Sequence, residues 1–353
     1  MPAPAKTWFL TTAGVPRAWQ MVFGGAAVDP ANPDWARIAG WDWAGVTVGQ
    51  VDHGYTLHPA TLGSVHPKLG RNYMDPGSDD PRDPMDYAET FGVRGHGTRT
   101  GSTLAGFDPQ QGYLGVAPKV PLIPYRVTNR SVLDLPGGTL LEPEGTNVAK
   151  AIRHAVDQNE CPVISISLGS LFGWQAMGEA VDHAYDNGVI VVAAAGQVIS
   201  EVVYPGKYPQ TVSAGGIRPG NWPYWTYRPS GARPDIWAPG AAVWRAQAAP
   251  PDNGTATYRY DWGEGTSYAT AVVAGLAALF VRRFADDLAR KGYDGWRRVE
   301  LFRALLKRNA KTVRGTGQDG AVVQFPGVLN TFPAWPKPDR LKRAQPDAAA
   351  MHL

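Results

Sequence analysis

The chain has 353 residues, of which 44% are hydrophobic and 18% are charged, and its formal net charge at pH 7 is +3. This length and hydrophobic content allow a sizeable core and indicate a globular protein, while the small net charge excludes a basic nucleic-acid-binding domain. The 41 glycines and 31 prolines predict many tight turns and long surface connections rather than a helical bundle.

The single cysteine, Cys161, precedes a proline and an alternating apolar run. This setting favours a buried structural thiol over a nucleophile. Residues 1–20 contain no continuous apolar segment like that of a signal peptide, and we find no apolar run that reaches the ~18 residues of a membrane helix. The sequence therefore predicts no membrane partner and a cytoplasmic location. A secreted mature form, with signal and prodomain removed, is the alternative.

The first half of the chain predicts a short helix, a buried strand and a long connection. The helix is expected over residues 13–19, with Pro16 near its start. The strand over residues 45–51 ends at Asp52, which leaves an acid at the edge where open α/β sheets form sites. The acidic, proline-rich part of the connection, residues 75–86, is either a solvated loop or a structural calcium site whose spacing differs from that of an EF-hand.

The second half of the chain alternates between strand and helix patterns. Apolar strand patterns at residues 162–170 and 188–197 follow helical patterns at 147–158 and 175–186. The continuous apolar run in the second of these strands is typical of a central parallel strand that is buried on both faces. The alternation predicts an α/β fold with a doubly wound, mostly parallel sheet.

A glycine, a threonine and Ser267 lead directly into an apolar, alanine-rich helix at residues 271–280. For such a motif in isolation, an ordinary helix N-cap is the simpler interpretation. Two further residues favour a nucleophile instead, because Asp52 ends a strand and His96 opens a helix between two glycines. A serine attacks well when a base accepts its proton and a carboxylate orients that base.

These segments resemble the subtilisin-like serine peptidases, the subtilase family. Residues 46–54, 95–106 and 265–275 are similar to the acid, histidine and serine blocks of that family, and they occur in its order. The resemblance covers about residues 13–335. It implies one subtilisin-like peptidase domain, with a mainly parallel sheet of about seven strands flanked by helices, between an N-terminal extension (residues 1–12) and a C-terminal tail (residues 336–353).

The resemblance implies a serine endopeptidase that acts on polypeptides and needs no cofactor for its chemistry, with a peptide or protein inhibitor as a possible further partner. Ser267 would attack the scissile carbonyl, His96 would take and return the proton, and Asp52 would orient His96. Val203 stands where many relatives have glycine, so we expect very large side chains before the scissile bond to be disfavoured. The implied substrate-binding residues are Ser167, Leu168, Gly169, Ser170, Ala193, Ala194, Ala195, Gly196 and Val203.

Gln197 and Arg99 depart from the family pattern. The family usually has asparagine where Gln197 stands, and the longer glutamine either donates to the oxyanion together with Ser267 or faces solvent while another donor serves. Arg99 is either a surface arginine or a residue that favours acidic groups on a substrate. The first twelve residues are a candidate inhibitory segment.

Two other functions compete with the peptidase. One is a catalytically impaired subtilase-like domain that acts as a polypeptide-binding or regulatory module, for which Gln197 is the support. The other is a nucleotide-binding domain, which the sequence disfavours because no G-x-G-x-x-G motif follows a predicted strand.

Overall fold

The computed structural model describes residues 4–87, 94–130, 142–197, 199–227, 231–247, 258–314 and 321–325. Within these ranges the helices are α1 Trp8–Thr12, α2 Val15–Phe23, α3 Trp35–Ala39, α4 Pro59–Leu62, α5 His96–Ala105, α6 Glu142–Asp157, α7 Gln175–Asp186, α8 Thr266–Arg290 and α9 Trp296–Asn309. The strands are β1 Val48–Asp52, β2 Arg71–Asn72, β3 Phe107–Asp108, β4 Tyr113–Leu114, β5 Leu122–Arg126, β6 Val163–Ile166, β7 Ile190–Ala194, β8 Val212–Arg218, β9 Trp222–Pro223, β10 Ile236–Pro239, β11 Val243–Gln247, β12 Arg259–Gly263, β13 Lys311–Thr312 and β14 Ala321–Val322.

One ten-stranded sheet organises the described chain, in the order β13-β14-β10-β8-β7-β6-β1-β5-β2, with β9 paired to β8. Every pair is parallel except β13 with β14 and β9 with β8. The predicted single-domain α/β fold with a mainly parallel sheet is therefore confirmed. The sheet has more strands than the seven expected. Four of its strands, β2, β9, β13 and β14, contain only two residues each, which is too short for a sequence pattern to indicate them.

The central strands are apolar because helices cover both faces of the sheet. Every residue of β1, β6 and β7 is buried. Successive residues of one strand join opposite cores: Val163 packs with α2, α5, α8 and α9, whereas Ile164 packs with α6 and α7. This two-sided burial is the reason that these strands lack polar alternation.

Helix α8, which carries Ser267, is the most buried long helix. Its residues from Tyr268 to Val281 are all buried, as an apolar, small-residue sequence allows. By length and composition this helix could cross a membrane, with a mean hydropathy of 1.4 over its most apolar window, but 83% of that window is buried inside the protein. The expectation that no apolar run reaches such a length overlooked this helix, which forms the centre of the core.

Part of the predicted N-terminal extension, residues 1–12, lies in this core. Trp8, Phe9 and Leu10 of α1 are buried, and the Trp8 indole donates to the carbonyl of Ala242 at 2.5 Å. The predicted tail, residues 336–353, lies outside the described residues. Cys161 is buried as expected, and burial raises its pKa to about 11, which suppresses the reactive thiolate.

Candidate active site

Three elements bring the predicted catalytic residues together at the carboxyl ends of the parallel strands. Strand β1 ends at Asp52, α5 begins at His96, and Ser267 lies in the first turn of α8. Gly97 allows the close approach of α5 to the end of β1, because a Cβ atom there would lie 1.8 Å from the carbonyl oxygen of Gly54. The glycine-flanked histidine in the sequence therefore reflects backbone packing that a larger residue would prevent.

Asp52, His96 and Ser267 form a continuous hydrogen-bonded chain. The Nδ1 atom of His96 lies 2.7 Å from Oδ1 of Asp52, and its Nε2 atom lies 3.1 Å from Oγ of Ser267. Both distances are within reach of proton transfer. The ring of His96 thus bridges a carboxylate and a hydroxyl, with one nitrogen for each, as a nucleophile activated by an oriented base requires.

The carboxylate of Asp52 is 1% exposed and has partners for both oxygens. Thr100 donates its hydroxyl to Oδ2 at 3.0 Å, and the backbone N–H of His53 donates to Oδ1 at 2.8 Å. Burial alone would raise the pKa of Asp52, but His96 and the N–H of His53 outweigh it and hold that pKa below its ordinary value. Asp52 is therefore ionised at neutral pH and can stabilise an imidazolium at His96.

Ser267 has a second hydrogen-bond acceptor besides His96. Its Oγ atom lies 3.1 Å from the carbonyl oxygen of Ser167, and the hydroxyl of Ser167 donates to the carbonyl of Ser267 at 3.1 Å. A hydroxyl carries one proton, so the Ser167 carbonyl competes with His96 for it in the unliganded site. This pair also fixes the segment after β6 against the first turn of α8.

Gln197, which follows β7, reaches the N-terminus of α8. The backbone N–H of Thr266 donates to Oε1 of Gln197 at 2.6 Å, next to the nucleophile. This contact occupies the oxygen of the amide and leaves its Nε2 atom as the donor. The side chain is half-buried and anchored beside Ser267 rather than directed only at solvent.

The predicted substrate-binding segments lie on either side of Val203. A Cβ atom at Gly169 would lie 2.7 Å from Cγ2 of Val203, and one at Gly196 would lie 2.8 Å from the same atom. Val203 itself is 6% exposed, and its backbone N–H donates to Ala195 at 3.0 Å. Ser170 exchanges two backbone hydrogen bonds of 2.8 Å with the next residue, Tyr204. The valine side chain thus fills the space between the two glycine-containing walls.

A buried histidine beside Asp52 and His96 was not expected from the sequence. His53 is 0% exposed, and its ring centroid lies 5.1 Å from that of His96. Burial lowers the pKa of His53 to about 3, against the charge of Asp52 and with a further contribution from His96. The sequence places His53 directly after the catalytic acid but does not show that its ring lies beside that of His96.

A polar network extends from His53 to the start of α5. The Nδ1 atom of His53 lies 3.3 Å from the hydroxyl of Tyr87, which donates to Oδ2 of Asp83 at 3.1 Å. The same carboxylate oxygen accepts the N–H of Gly95, the N-cap of α5, at 2.8 Å. Asp83 therefore fixes the residue before His96, although nothing in the irregular segment around it indicated this role.

The acidic segment considered as a calcium site has other contacts. Arg126 and the amide of Asn72 donate to the carboxylate of Asp75, and Asp83 belongs to the network described above. In the described part of the chain, one group of three His, Cys, Asp or Glu side chains is close enough to hold a metal ion, and it consists of Asp52, His53 and His96. The calcium site stays a prediction. Arg99 is half-buried on α5, and its role also stays a prediction.

The family model described as the subtilase family matches residues 44–330, which is most of the chain. The chain belongs to the subtilase family. It is a serine endopeptidase of that family, with the three polar residues of the acid, histidine and serine blocks in hydrogen-bond contact.

Two curated relatives illustrate how far this subtilase resembles characterised members. It is 31% identical to Subtilisin DY of Bacillus licheniformis over 262 residues, which are 71% of this chain and 82% of that protein. It is 30% identical to Alkaline elastase YaB of Bacillus sp. (strain YaB) over 287 residues, which are 81% of this chain and 65% of that protein. The chain thus spans most of the first relative and less than two thirds of the second.

Two solved structures share the fold. The proteases from Pseudoalteromonas arctica PAMC 21717 match with a TM-score of 0.69 and 22% sequence identity over 91% of this chain and 95% of theirs. MycP1 with its N-terminal propeptide removed matches with a TM-score of 0.62 and 21% identity over 90% of this chain and 93% of its own. At these identities the likeness concerns the fold.

Proposed function

We propose that this subtilase hydrolyses peptide bonds of polypeptides through an acyl-enzyme intermediate on Ser267. The observation that carries the proposal is the hydrogen-bonded chain from Asp52 through His96 to Oγ of Ser267, with distances of 2.7 and 3.1 Å. In the first step Nε2 of His96 takes the hydroxyl proton while Oγ attacks the scissile carbonyl, and His96 then gives that proton to the leaving amine. Water, activated by the same nitrogen, releases the acyl group and restores the serine.

The oxyanion of the tetrahedral intermediates would be held by Nε2 of Gln197 and the backbone N–H of Ser267. Supporting this assignment, the Oε1 atom of Gln197 accepts from Thr266 at 2.6 Å, so the amide is oriented before substrate arrives. A preorganised donor is worth far more than one that must reorient during the reaction. The extra methylene of glutamine is thus compensated by a hydrogen bond that fixes its far end.

The primary pocket would accept small side chains. Its walls would be residues 167–170 and 193–196, and Val203 would fill the space between Gly169 and Gly196. The extended substrate backbone would pair with the first wall, by addition of a strand to an edge. One relative is named an alkaline elastase, and elastases are proteases with a small primary pocket, which agrees with this assignment.

For the location of the protein, the relatives fit the alternative expectation from the sequence, a secreted mature form. They are mostly subtilisins from Bacillus, and they give no support to the cytoplasmic expectation. We propose that the chain acts outside the cytoplasm, on polypeptide substrates and with a peptide or protein inhibitor as a further partner.

A fluorophosphonate probe tests the activity directly. We expect the probe to label the folded protein on Ser267, and Ser267→Ala to abolish labelling. Because His96 is the base, His96→Ala should slow labelling by several orders of magnitude. A folded protein that binds peptides and yet resists the probe would replace the peptidase with the polypeptide-binding alternative.

A further inference from the structure

A second imidazole lies beside the catalytic residues Asp52 and His96. His53, at 0% exposure, packs its ring 5.1 Å from that of His96, and both residues adjoin the carboxylate of Asp52. The described catalytic steps use Asp52 and His96 and leave the side chain of His53 without a role. Its burial would be costly without some compensating interaction.

The hydrogen bonds of His53 show which nitrogen carries a lone pair. Tyr87 gives its single hydroxyl proton to Asp83, so it can only accept from Nδ1 of His53, 3.3 Å away. The neutral ring then has its proton on Nδ1 and an unprotonated Nε2. That Nε2 atom is buried and makes no hydrogen bond of ordinary distance and angle within the residues that the structure describes, while a backbone contact with Arg130 favours a proton on the ring. A histidine whose other nitrogen is held through a hydroxyl to a carboxylate has the outer contacts typical of a metal ligand.

Asp52, His53 and His96 each offer one ligand atom, and these three atoms lie within 4.8 Å of one another. Two imidazoles and a carboxylate are a donor set that Zn²⁺ prefers, at distances of about 2.0–2.2 Å. Because 4.8 Å is the upper limit of these separations, a central ion would lie at most about 2.8 Å from each atom, so inward shifts of no more than about 0.7 Å would complete the coordination. Side-chain adjustments of this size need no change of fold.

We propose that Asp52, His53 and His96 form an inhibitory site for a divalent transition-metal ion such as Zn²⁺. This proposal rests on the proposed peptidase function, since it concerns regulation of the same site. Water would take the fourth position from the cleft, where Ser267 is half-exposed. Asp52 and His96 alone would supply two ligands, so His53 is the residue that makes the site.

Metal binding would stop catalysis whichever nitrogen of His96 it takes. An ion on Nε2 would occupy the atom that must accept the proton of Ser267. An ion on Nδ1 would shift the single proton of the neutral ring to Nε2, which then could not act as a base. No net proton would be lost in the second case, and the ion would leave again when a chelator removes it.

Calorimetric titration of Zn²⁺ into the full-length Ser267→Ala protein tests the site without relying on activity. We expect one ion per chain, and at least about 30-fold weaker binding when His53→Asn is added, because even an outer-shell change costs 10–100-fold. The matched control is His183→Asn, which removes another histidine in contact with an aspartate, Asp157, at 2.6 Å, and should leave the affinity unchanged. Equal affinity with and without His53, or no binding at all, would overturn the proposal.

The same comparison is then made with Ser267 intact. We expect Zn²⁺ to inhibit fluorophosphonate labelling, EDTA to reverse the inhibition, and His53→Asn to shift the inhibitory concentration upwards by the same factor, relative to the zinc-free rate of each variant. If His53→Asn does not fold, His53→Gln and the visible spectrum of Co²⁺ bound to the unmutated chain replace it, and a spectrum without four-coordinate bands counts against the site. Absence of labelling without zinc would contradict the proposed function alone, since the calorimetric result stands separately.

Discussion

Replacing Val203 with glycine should widen the primary pocket and change which side chain is preferred before the scissile bond. The Cγ2 atom of Val203 lies 2.7 Å from the Cβ position of Gly169 and 2.8 Å from that of Gly196. In the proposed pocket, this atom occupies the space that a large substrate side chain would need. Val203→Gly removes three carbon atoms from this space and touches none of the catalytic residues.

The size of the effect follows from the apolar volume exchanged. At about 0.8 kcal/mol per buried carbon, three carbons that a phenylalanine substrate can replace are worth about 2.4 kcal/mol, or about 50-fold in kcat/KM. Val203→Ala, which removes two carbons, should give about 15-fold by the same reasoning. Because Val203 is 6% exposed, the glycine variant should also lose about 2–4 kcal/mol of stability.

The assay compares kcat/KM for peptides that differ only in having alanine or phenylalanine before the scissile bond. We expect the unmutated chain to prefer alanine and the ratio to move toward phenylalanine in the order Val203, Val203→Ala, Val203→Gly. A profile in which the unmutated chain already prefers phenylalanine or tyrosine, or one that the substitutions leave unaltered, would refute the assignment of Val203 to the pocket.

Three other predictions concern the oxyanion donor, the acid-sensitive core and the start of α5. Gln197→Leu should lower kcat for a peptide substrate by about 10²–10³ with little change in KM, because it removes the proposed donor to the oxyanion in the transition state. An unchanged kcat would mean that another group donates to the oxyanion. Burial alone would raise the pKa of Asp235, but Arg303 and Lys307 hold that pKa below its ordinary value. The contribution of this carboxylate to folding stability is therefore present above pH 3.8 and is lost as the pH falls through its folded-state pKa. Asp235→Asn should accordingly cost about 1–3 kcal/mol in urea unfolding at pH 7, and a deficit that persists at the lowest pH would contradict this ionic origin. Asp83→Ala should destabilise the protein by about 1–3 kcal/mol in the same assay, since three donors lose their acceptor; an unaltered midpoint would show that water replaces the carboxylate without cost.

The sequence predicted those parts of the molecule in which the structural environment of a segment determines its local residue pattern. The continuous apolar run that became β7 has one stable environment, the centre of a sheet covered on both faces, so its position could be predicted. His96 lies between glycines because α5 approaches Gly54 within contact distance, and that packing leaves a visible mark in the sequence. Two-residue strands such as β2 and β14 have no recognisable sequence pattern, because their pairing depends on strands that are distant in the chain.

His53 and Asp83 show why the rest of the site could not be derived in this way. Both are polar residues in segments without periodicity, and each acts through partners in another segment: His53 through Tyr87 and Asp83 through the N–H of Gly95. Sequence patterns report what a residue does to its own element, such as capping a helix or filling a face. They are silent on a contact that depends on how a long connection folds back. The acid block of the family can therefore be recognised from Asp52 in the sequence. The role that we propose for the next residue, His53, as a metal ligand depends on the ring of His96 lying beside it, which the sequence does not show.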